Sequence, residues 1–450
     1  MGKLRRRIPE LLIVAFAIGL RLSMLRFDPR ESYDADDHWP YIEWFRTHWT
    51  LPPLKLCRET YHPPLFYVLE GSFRRLGASV PLLGLPSMVF GSLTLALLWI
   101  GLERHLAERR LARLVALALA AVMPSAVHLS GMWTAEGLNG FLATASLVLA
   151  AHLLARQGKG RTGLALTLGF ILGLEMLAKI SALVIVASVV GAAGLEALWS
   201  RGSIGHRIRC TVPWLGMLAA FAITSGWYFA RNQRLYGKAV LSGFDGTDGP
   251  VPASVEATPY LDRRTLGFLT GWSNSVFEFP YAKSGMTPHS RFWPVLVAST
   301  FDDYYNYAFS RRRKDSTLAA NGHPLSTPAV NLGRGSVIAG ALIALTTAAA
   351  WFLTASLLAR RRDAVRLALL VAPAAAVLGQ LHFAIQYPMD DMGPIKGVYV
   401  QFASAPLYGL FGLSVSWLVE RRTITTRLLA IAELVAVGAV AAYTIYCRVT

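Results

Sequence analysis

The chain has 450 residues, of which 54% are hydrophobic and 16% are charged, and its mean hydropathy is +0.42. This composition excludes an ordinary soluble globular domain. The formal net charge of +17 does not indicate nucleic-acid binding, because the Lys and Arg residues stand in short clusters between apolar stretches. Clusters of that kind are typical of the loops that orient membrane proteins.

About eleven apolar stretches approach the roughly 20 residues that a helix needs to span a bilayer. The first follows a basic start and leads into Arg21 and Arg26 rather than into a small-residue cleavage site. This arrangement favours an uncleaved helix over a signal peptide. We therefore predict an all-α polytopic membrane protein with helices near 8–27, 82–102, 112–130, 137–155, 162–178, 181–199, 211–229, 336–359, 367–385, 398–419 and 428–446.

Basic residues alternate along this series of helices. The connections 3–7, 104–113, 156–161, 201–209, 360–366 and 421–427 each hold three or four Lys or Arg residues. The opposite short connections, near 131–136, 179–180 and 386–397, hold one or none. By the positive-inside rule the N-terminus is cytoplasmic, and the C-terminus lies on the other side with the two long connections.

Those two long connections, 28–81 and 230–335, divide the predicted organisation. We expect an N-terminal transmembrane module over 1–229, a large non-cytoplasmic loop over 230–335 and C-terminal helices over 336–450. The aromatic residues of the second loop argue against disorder. An amphipathic helix at the membrane interface is predicted at 292–308.

An acidic cluster directly follows the first helix, with Asp34, Asp36, Asp37 and His38 within five residues. If a helix begins at Asp37, Asp34 lies at its cap position, where helix amides hold a carboxylate ionised. A carboxylate held in this way suits a general base. The alternative is a capping Asp with solvated neighbours. Asp36, Asp37 and His38 are also weak candidates for a divalent metal site, although consecutive residues rarely all reach one ion.

A second motif follows about twenty residues later. Pro63 and Pro64 fix a turn before a further apolar element and present Tyr61 and His62 at the boundary between membrane and water. A histidine there can donate a hydrogen bond to a phosphate oxygen.

Together these motifs resemble the membrane glycosyltransferases of the GT-C fold, in particular the family 39-like protein O-mannosyltransferases and aminoarabinose transferases. The resemblance rests on the acidic cluster and on the run His62-Pro63-Pro64-Leu65-Phe66-Tyr67. Looser similarity extends through Gly226-Trp227-Tyr228-Phe229-Ala230-Arg231-Asn232 and Lys396-Gly397-Val398-Tyr399.

The resemblance implies a GT-C-type bundle whose two large periplasmic loops carry interfacial helices, in the inner membrane of a bacterium. It also implies an inverting transfer of a sugar from a polyprenyl-phosphate donor to a lipid, glycan or protein acceptor. Asp34 matches the catalytic acidic position of the family. Many members have Asp-Glu there, whereas this chain has Asp34-Ala35, so Asp37 remains an alternative base. No obligatory metal is expected, and the other partner is membrane lipid rather than nucleic acid.

A phosphate leaving group needs countercharge, and several residues at predicted outer helix ends are candidates. The predicted phosphate or substrate contacts are His62, Tyr61, Lys179, Arg231, Arg291, Lys396 and Tyr399. A snorkelling interfacial lysine is the alternative for Lys179. We further expect Glu136 to cap a helix and Glu175 to pair with Lys179 at i,i+4.

Two other functions remain open at this stage. A transporter or lipid flippase predicts charged residues inside the helices and discontinuous helices. A non-catalytic scaffold that kept the fold is the other alternative, and it would most simply have lost Asp34.

Overall fold

The computed structural model describes residues 2–156, 160–199, 204–243, 257–278, 291–304, 327–361, 363–388 and 393–449, and within these ranges it contains helices and no strands. We number the α-helices in chain order. They are α1 Gly2–Ser23, α2 Ala35–Thr47, α3 Leu65–Arg75, α4 Gly84–His105, α5 Arg110–Val122, α6 Pro124–Leu129, α7 Ala135–Ala155, α8 Arg161–Ala178, α9 Leu183–Trp199, α10 Ile204–Tyr236, α11 Leu266–Thr270, α12 Ser275–Glu278, α13 Phe292–Phe301, α14 Thr327–Arg361, α15 Ala364–Gln386, α16 Ala405–Glu420 and α17 Ile424–Val449.

The predicted apolar stretches all fall on helices, but the number of membrane spans stays a prediction. Seven helical segments in the described ranges are long and apolar enough to cross a bilayer. The main differences from the predicted ranges are at two stretches. The stretch 112–130 is divided into α5 and α6, and the stretch 398–419 begins as two short 3-10 turns before α16 starts at Ala405.

The division of α5 from α6 has a local cause at Pro124. Proline has no N–H to donate and its ring crowds the preceding turn, so the helix ends at Val122. The carbonyl oxygens freed at this break accept hydrogen bonds from other helices. Arg21 of α1 lies 3.4 Å from the Ala120 oxygen, and the hydroxyl of Thr444 in α17 donates to the Val122 oxygen at 2.8 Å. Three helices therefore meet at one proline.

Small residues bring the helices of the bundle close together. A Cβ added at Gly169 of α8 would lie 2.1 Å from the backbone oxygen of Met217 in α10, so only glycine permits this contact. Close approach at small residues is the usual way in which helices pack inside membranes. Further apolar cores join α1, α4 and α5 to α14 and α17, and join α2 and α3 to α7.

Connections that were predicted to share one side of the membrane do lie together. Arg7 pairs with Glu103, Arg113 with Glu10 at 3.3 Å, and Arg109 with Glu420. These contacts place the basic connections 3–7, 104–113 and 421–427 at one end of the bundle, which we call the opposite end. The other end, which holds α2 and α3, is called the site end below.

The second long connection differs from its prediction at 292–308. Helix α13 ends at Phe301, and seven of its ten residues are buried. Over its described residues it is therefore a helix packed inside the protein and not an amphipathic interfacial helix, and residues 305–308 of the predicted range lie outside the described part of the chain. Its core neighbours include Val337 of α14 and Ala384 of α15.

Candidate functional site

Asp34 lies immediately before α2 in the left-handed conformation, which few non-glycine residues adopt. The helix begins at Ala35 and not at Asp37, so the predicted start was two residues late. Asp34 occupies the N-cap position with φ 55° and ψ 27°, and its carboxylate makes no capping hydrogen bond. The expected cap interaction is thus absent. A non-glycine residue in the left-handed region costs on the order of 1 kcal/mol or more, and such residues concentrate at functional sites.

The surroundings hold Asp34 in this position. The hydroxyl of Ser32 accepts a hydrogen bond from the backbone N–H of Trp133 at 2.9 Å, which ties the first connection to the start of α7. One turn into α2, the indole of Trp39 stacks on Trp133 with ring centroids 5.0 Å apart. The carboxylate itself stays accessible, because 43% of the Asp34 side chain is exposed.

Lys396 faces Asp34 from a distant part of the chain. Its ammonium lies 3.5 Å from the carboxylate, and only 9% of the lysine side chain is exposed. The same ammonium donates a hydrogen bond to the hydroxyl of Tyr399 at 3.1 Å and lies 4.5 Å from the ring centre of Tyr33. Two aromatic rings and one carboxylate therefore hold this cation at the site end.

Helix α13 fixes the backbone around Lys396. The N–H of Gly397 donates to the hydroxyl of Ser299 at 2.9 Å. A Cβ added at Gly397 would lie 2.5 Å from the Cα of Thr300, so the two segments are in direct backbone contact. The second long connection thus contributes to the site by supporting a residue that comes after it in sequence.

A second buried ion pair lies beside Tyr399. Lys179, at the end of α8, is hydrogen-bonded to Glu136 in the first turn of α7. The Lys179 ammonium also lies 4.8 Å from the ring centre of Tyr399. Both side chains are shielded, with 16% of Lys179 and 2% of Glu136 exposed. Tyr399 thereby contacts both Lys179 and Lys396.

Two expectations about this pair were wrong. Glu136 does not cap α7, because the hydroxyl of Thr134 takes that role by accepting from the Glu136 N–H. Glu175 does not pair with Lys179, because its carboxyl accepts a hydrogen bond from Ser146 at 2.9 Å inside the bundle. Residues i and i+4 on one helix are neighbours only while the helix continues, and α8 ends at Ala178.

The His-Pro-Pro motif forms a third ion pair. His62 Nε2 lies 2.7 Å from the carboxylate of Glu59, and both side chains are nearly buried. Burial alone would raise the pKa of Glu59. The opposing charge and hydrogen bond of His62, with smaller effects of His38 and Lys179, instead lower it to about 2. Glu59 is therefore ionised throughout the physiological range.

A neutral histidine lies behind this pair. Burial, partly opposed by Glu59, lowers the pKa of His38 to about 4. Its Nδ1 lies 2.8 Å from the hydroxyl of Tyr67, and its ring lies 6.5 Å from that of His62. Tyr61 stacks beside His62 with ring centroids 4.1 Å apart. The Nδ1 atom of His38 therefore already has a hydrogen-bond partner within the protein.

The three weak metal candidates point in different directions. Asp36 is exposed, Asp37 is half-buried and His38 is bonded to Tyr67. They occupy successive positions of α2, where side chains diverge by about 100° per residue. Within the described ranges, no three His, Cys, Asp or Glu side chains lie close enough to hold one ion. The side chains of Asp36, Asp37 and His38 therefore do not converge as the ligands of one metal ion would.

Asp37 keeps a position close to the site. Burial raises its pKa, the charge of Glu59 adds to this effect, Arg58 opposes it, and Asp34 and Asp36 add smaller amounts. Its N–H donates to the Asp34 backbone oxygen at 3.0 Å. Both candidate bases therefore lie within one helical turn of each other.

The structure does not bring the two predicted arginines to Asp34. Arg231 of α10 donates to Asn232 at 3.3 Å and lies 5.9 Å from the ring of Tyr236. Arg291 donates to the backbone oxygen of Gly267 at 2.6 Å, which joins α11 to the start of α13.

Sequence reasoning missed Glu59, and it expected Glu136 to cap a helix rather than to pair with Lys179. The first carried a local signal, because it precedes His62 by three residues in a turn. The partner of Glu136 is 43 residues away on another helix. No spacing rule reports a contact of that kind.

No protein family and no curated protein matches the sequence. Solved structures do match. The oligosaccharyltransferase AglB from Archaeoglobus fulgidus, in complex with an inhibitory peptide and a dolichol-phosphate, aligns at a TM-score of 0.51 with 13% identity over 97% of this chain. The same archaeal enzyme in complex with zinc and sulfate aligns at 0.52 with 12% identity over 97% of this chain. The protein has the GT-C fold.

This chain spans about half the length of the archaeal enzyme, whose coverage is 55% and 53% in the two structures. ArnT from Cupriavidus metallidurans, bound to undecaprenyl phosphate, matches at a TM-score of 0.48 with 13% identity, covering 97% of this chain and 75% of ArnT. At such low identity the shared feature is the GT-C fold itself, so function must be argued from the site.

Proposed function

We propose that this protein is a membrane glycosyltransferase that moves a sugar from a polyprenyl-phosphate donor to an acceptor. The observation that carries the proposal is the pairing of Asp34 with Lys396. It combines an accessible carboxylate on a strained backbone with a buried cation, next to a second buried cation at Lys179. A base next to phosphate-binding charges is the arrangement that glycosyl transfer from a lipid phosphate requires.

The reaction follows from these positions. Asp34 takes the proton of an acceptor hydroxyl or amine, and the acceptor atom forms a bond to the anomeric carbon of the sugar. The bond between that carbon and the phosphate oxygen breaks, and its electron pair leaves with the polyprenyl phosphate. Lys396 and Lys179 stabilise the charge that develops on this phosphate. Attack from the face opposite the phosphate inverts the anomeric centre.

The donor class is supported by charge and by the fold. The AglB structure that shares this fold contains a dolichol-phosphate, a polyprenyl-type lipid monophosphate. In this chain Lys396 and Lys179 supply two positive charges, whose ammonium groups lie 5.2 Å and 4.8 Å from the ring centre of Tyr399. Within the proposal the site end faces the outer side of the membrane, as the distribution of basic residues predicts.

The decisive experiment is a turnover assay with the purified protein, radiolabelled polyprenyl-phosphate sugars and a membrane lipid extract. Transfer of label to an acceptor supports the proposal, and its complete absence with every donor overturns it. Lys396→Gln should raise the KM for the donor at least about tenfold, since a charge-assisted contact contributes roughly 1.5–3 kcal/mol. Arg231→Gln is the matched control and should change the donor KM less, because its guanidinium contacts Asn232 and Tyr236 instead.

A lipid transporter is the second candidate, because the structure has two features that it predicts. Helix α5 is interrupted at Pro124, and Glu175 is fully buried inside the bundle. Donor lipid that crosses the membrane of a reconstituted vesicle without losing its sugar would favour this candidate.

A further inference from the structure

A second polar pocket lies at the opposite end of the bundle, away from the candidate site. Its volume is about 320 Å³, near the lower limit of the ~300–1,000 Å³ typical of small-molecule sites. Along α1 the sixteen steps from Arg7 to Ser23 span roughly 24 Å, which separates the pocket from the site end. The pocket is lined chiefly by Arg7, Glu10, Trp99, Glu103, Arg110 and Arg113.

The inner wall of this pocket holds buried groups without complete hydrogen bonding. Glu10 is 1% exposed, and its Oε1 accepts from Arg113 at 3.3 Å. The other carboxylate oxygen of Glu10 and the Nε of Arg113 are buried and have no partner among the described residues. An unsatisfied buried polar group costs about 1–3 kcal/mol. A ligand that supplies both a donor and an acceptor would remove this cost.

The outer wall is accessible and adds a positive charge. Arg7 and Glu103 form an ion pair with 52% and 37% of their side chains exposed, and Arg110 is exposed beside them. The pocket thus holds three guanidinium groups and two carboxylates. Trp99 provides a half-buried aromatic surface at the end of α4, and tryptophan is enriched at membrane interfaces.

We propose that this pocket binds the headgroup of a phospholipid that carries a primary ammonium, with phosphatidylethanolamine as the simplest example. Its phosphate would contact Arg7 and Arg110, and its ammonium would donate to Glu10. Basic pockets at helix ends are known binding places for phospholipid headgroups. The two carboxylates disfavour a free phosphate ion, and Trp99 contacts the apolar part of the lipid.

The test uses the full-length protein, purified in detergent and depleted of lipid. Native mass spectrometry measures the affinities for phosphatidylethanolamine and phosphatidylcholine, and added inorganic phosphate tests for competition. Phosphatidylethanolamine should bind at least about tenfold more tightly than phosphatidylcholine, because a quaternary ammonium cannot donate a hydrogen bond to Glu10. Arg7→Gln and Arg110→Gln should each weaken binding about fivefold.

Arg109→Gln is the matched control, since it removes the same charge from the same connection outside the pocket. It should leave lipid affinity unchanged. Equal affinity for the two lipids, full displacement by inorganic phosphate, or an equal loss in Arg109→Gln would each overturn the proposal. The comparison of the two lipids uses the unaltered protein, so it decides the matter even if a variant does not fold.

Discussion

Ion pairs lie at both ends of the helix bundle, and water reaches the pair Arg109–Glu420 far more than it reaches the pair Lys179–Glu136. At the opposite end the pair Arg109–Glu420 has 52% and 50% of its side chains exposed. At the site end only 16% of the Lys179 side chain and 2% of the Glu136 side chain are exposed. Exposed pairs gain little because water screens them. Buried charges are costly to maintain, so their presence indicates a function more strongly.

Breaking the site at its base should have the largest effect. Asparagine matches the shape of aspartate but cannot accept a proton, so Asp34→Asn should lower turnover by about 10²–10⁴-fold. The melting temperature should fall only slightly, because the Asp34 carboxylate makes no capping bond and is 43% exposed where it faces Lys396.

The control for Asp34 is Asp36→Asn, which neutralises an exposed carboxylate of the same helix and should keep most of the activity. Asp36 lies in the first turn of α2 and not in an extended segment. Measured turnover and melting temperature, with Asp37→Asn alongside, identify the base. An inactive Asp37→Asn together with an active Asp34→Asn would assign the role to Asp37.

The second largest effect should be a loss of stability when the buried pair of Lys179 and Glu136 is broken. Glu136→Gln leaves Lys179 buried without its charge partner, which costs about 3–5 kcal/mol. The double variant Glu136→Leu/Lys179→Met should recover most of that loss, because an apolar pair needs no hydration. Turnover should remain low in the double variant, since the phosphate has lost a cation. Full activity there would mean that the pair is purely structural.

Melting temperatures measured over a series of pH values test the contribution of Glu59 to stability. Its pKa is about 2 in the folded protein against an ordinary value of 4.5, so the ionised carboxylate stabilises the fold above pH 4.5. That contribution, on the order of 3 kcal/mol, is lost as the pH falls from 4.5 towards 2. The melting temperature of Glu59→Gln should therefore lie below that of the unaltered protein at pH 7. The difference between the two melting temperatures should become smaller by pH 3. A difference that does not change with pH would argue against the ion pair with His62.

The smallest effect is expected at the opposite end. Arg109→Gln breaks an ion pair that water surrounds, so the melting temperature and turnover should both stay within experimental scatter. A clear loss of stability would show that the exposed pair and the buried pair do not differ as described.

The sequence predicted the helices better than it predicted the contacts between them. Length and hydropathy report where a chain enters lipid, and the basic connections that were assigned to one side do meet, as Arg113 and Glu10 show. Pro124 was visible in the sequence, but whether a proline kinks a helix or ends it depends on the neighbouring helices. The phosphate-binding roles of Lys179 and Lys396 stay predictions. Their contacts with Glu136, Tyr399 and Asp34 join segments far apart in sequence, which periodicity cannot report.

The interruption at Pro124 also has a consequence for biogenesis. While α1 is alone in the bilayer, Arg21 carries a charge with no partner outside its own helix. When α5 and α6 are inserted, their interruption would expose bare carbonyl oxygens to lipid. Each defect is relieved by the other, because Arg21 donates to the oxygens of Ala120 and Ala121. These contacts couple the insertion of α5 to α1, although the ribosome makes Arg21 about a hundred residues before it makes Ala120 and Ala121.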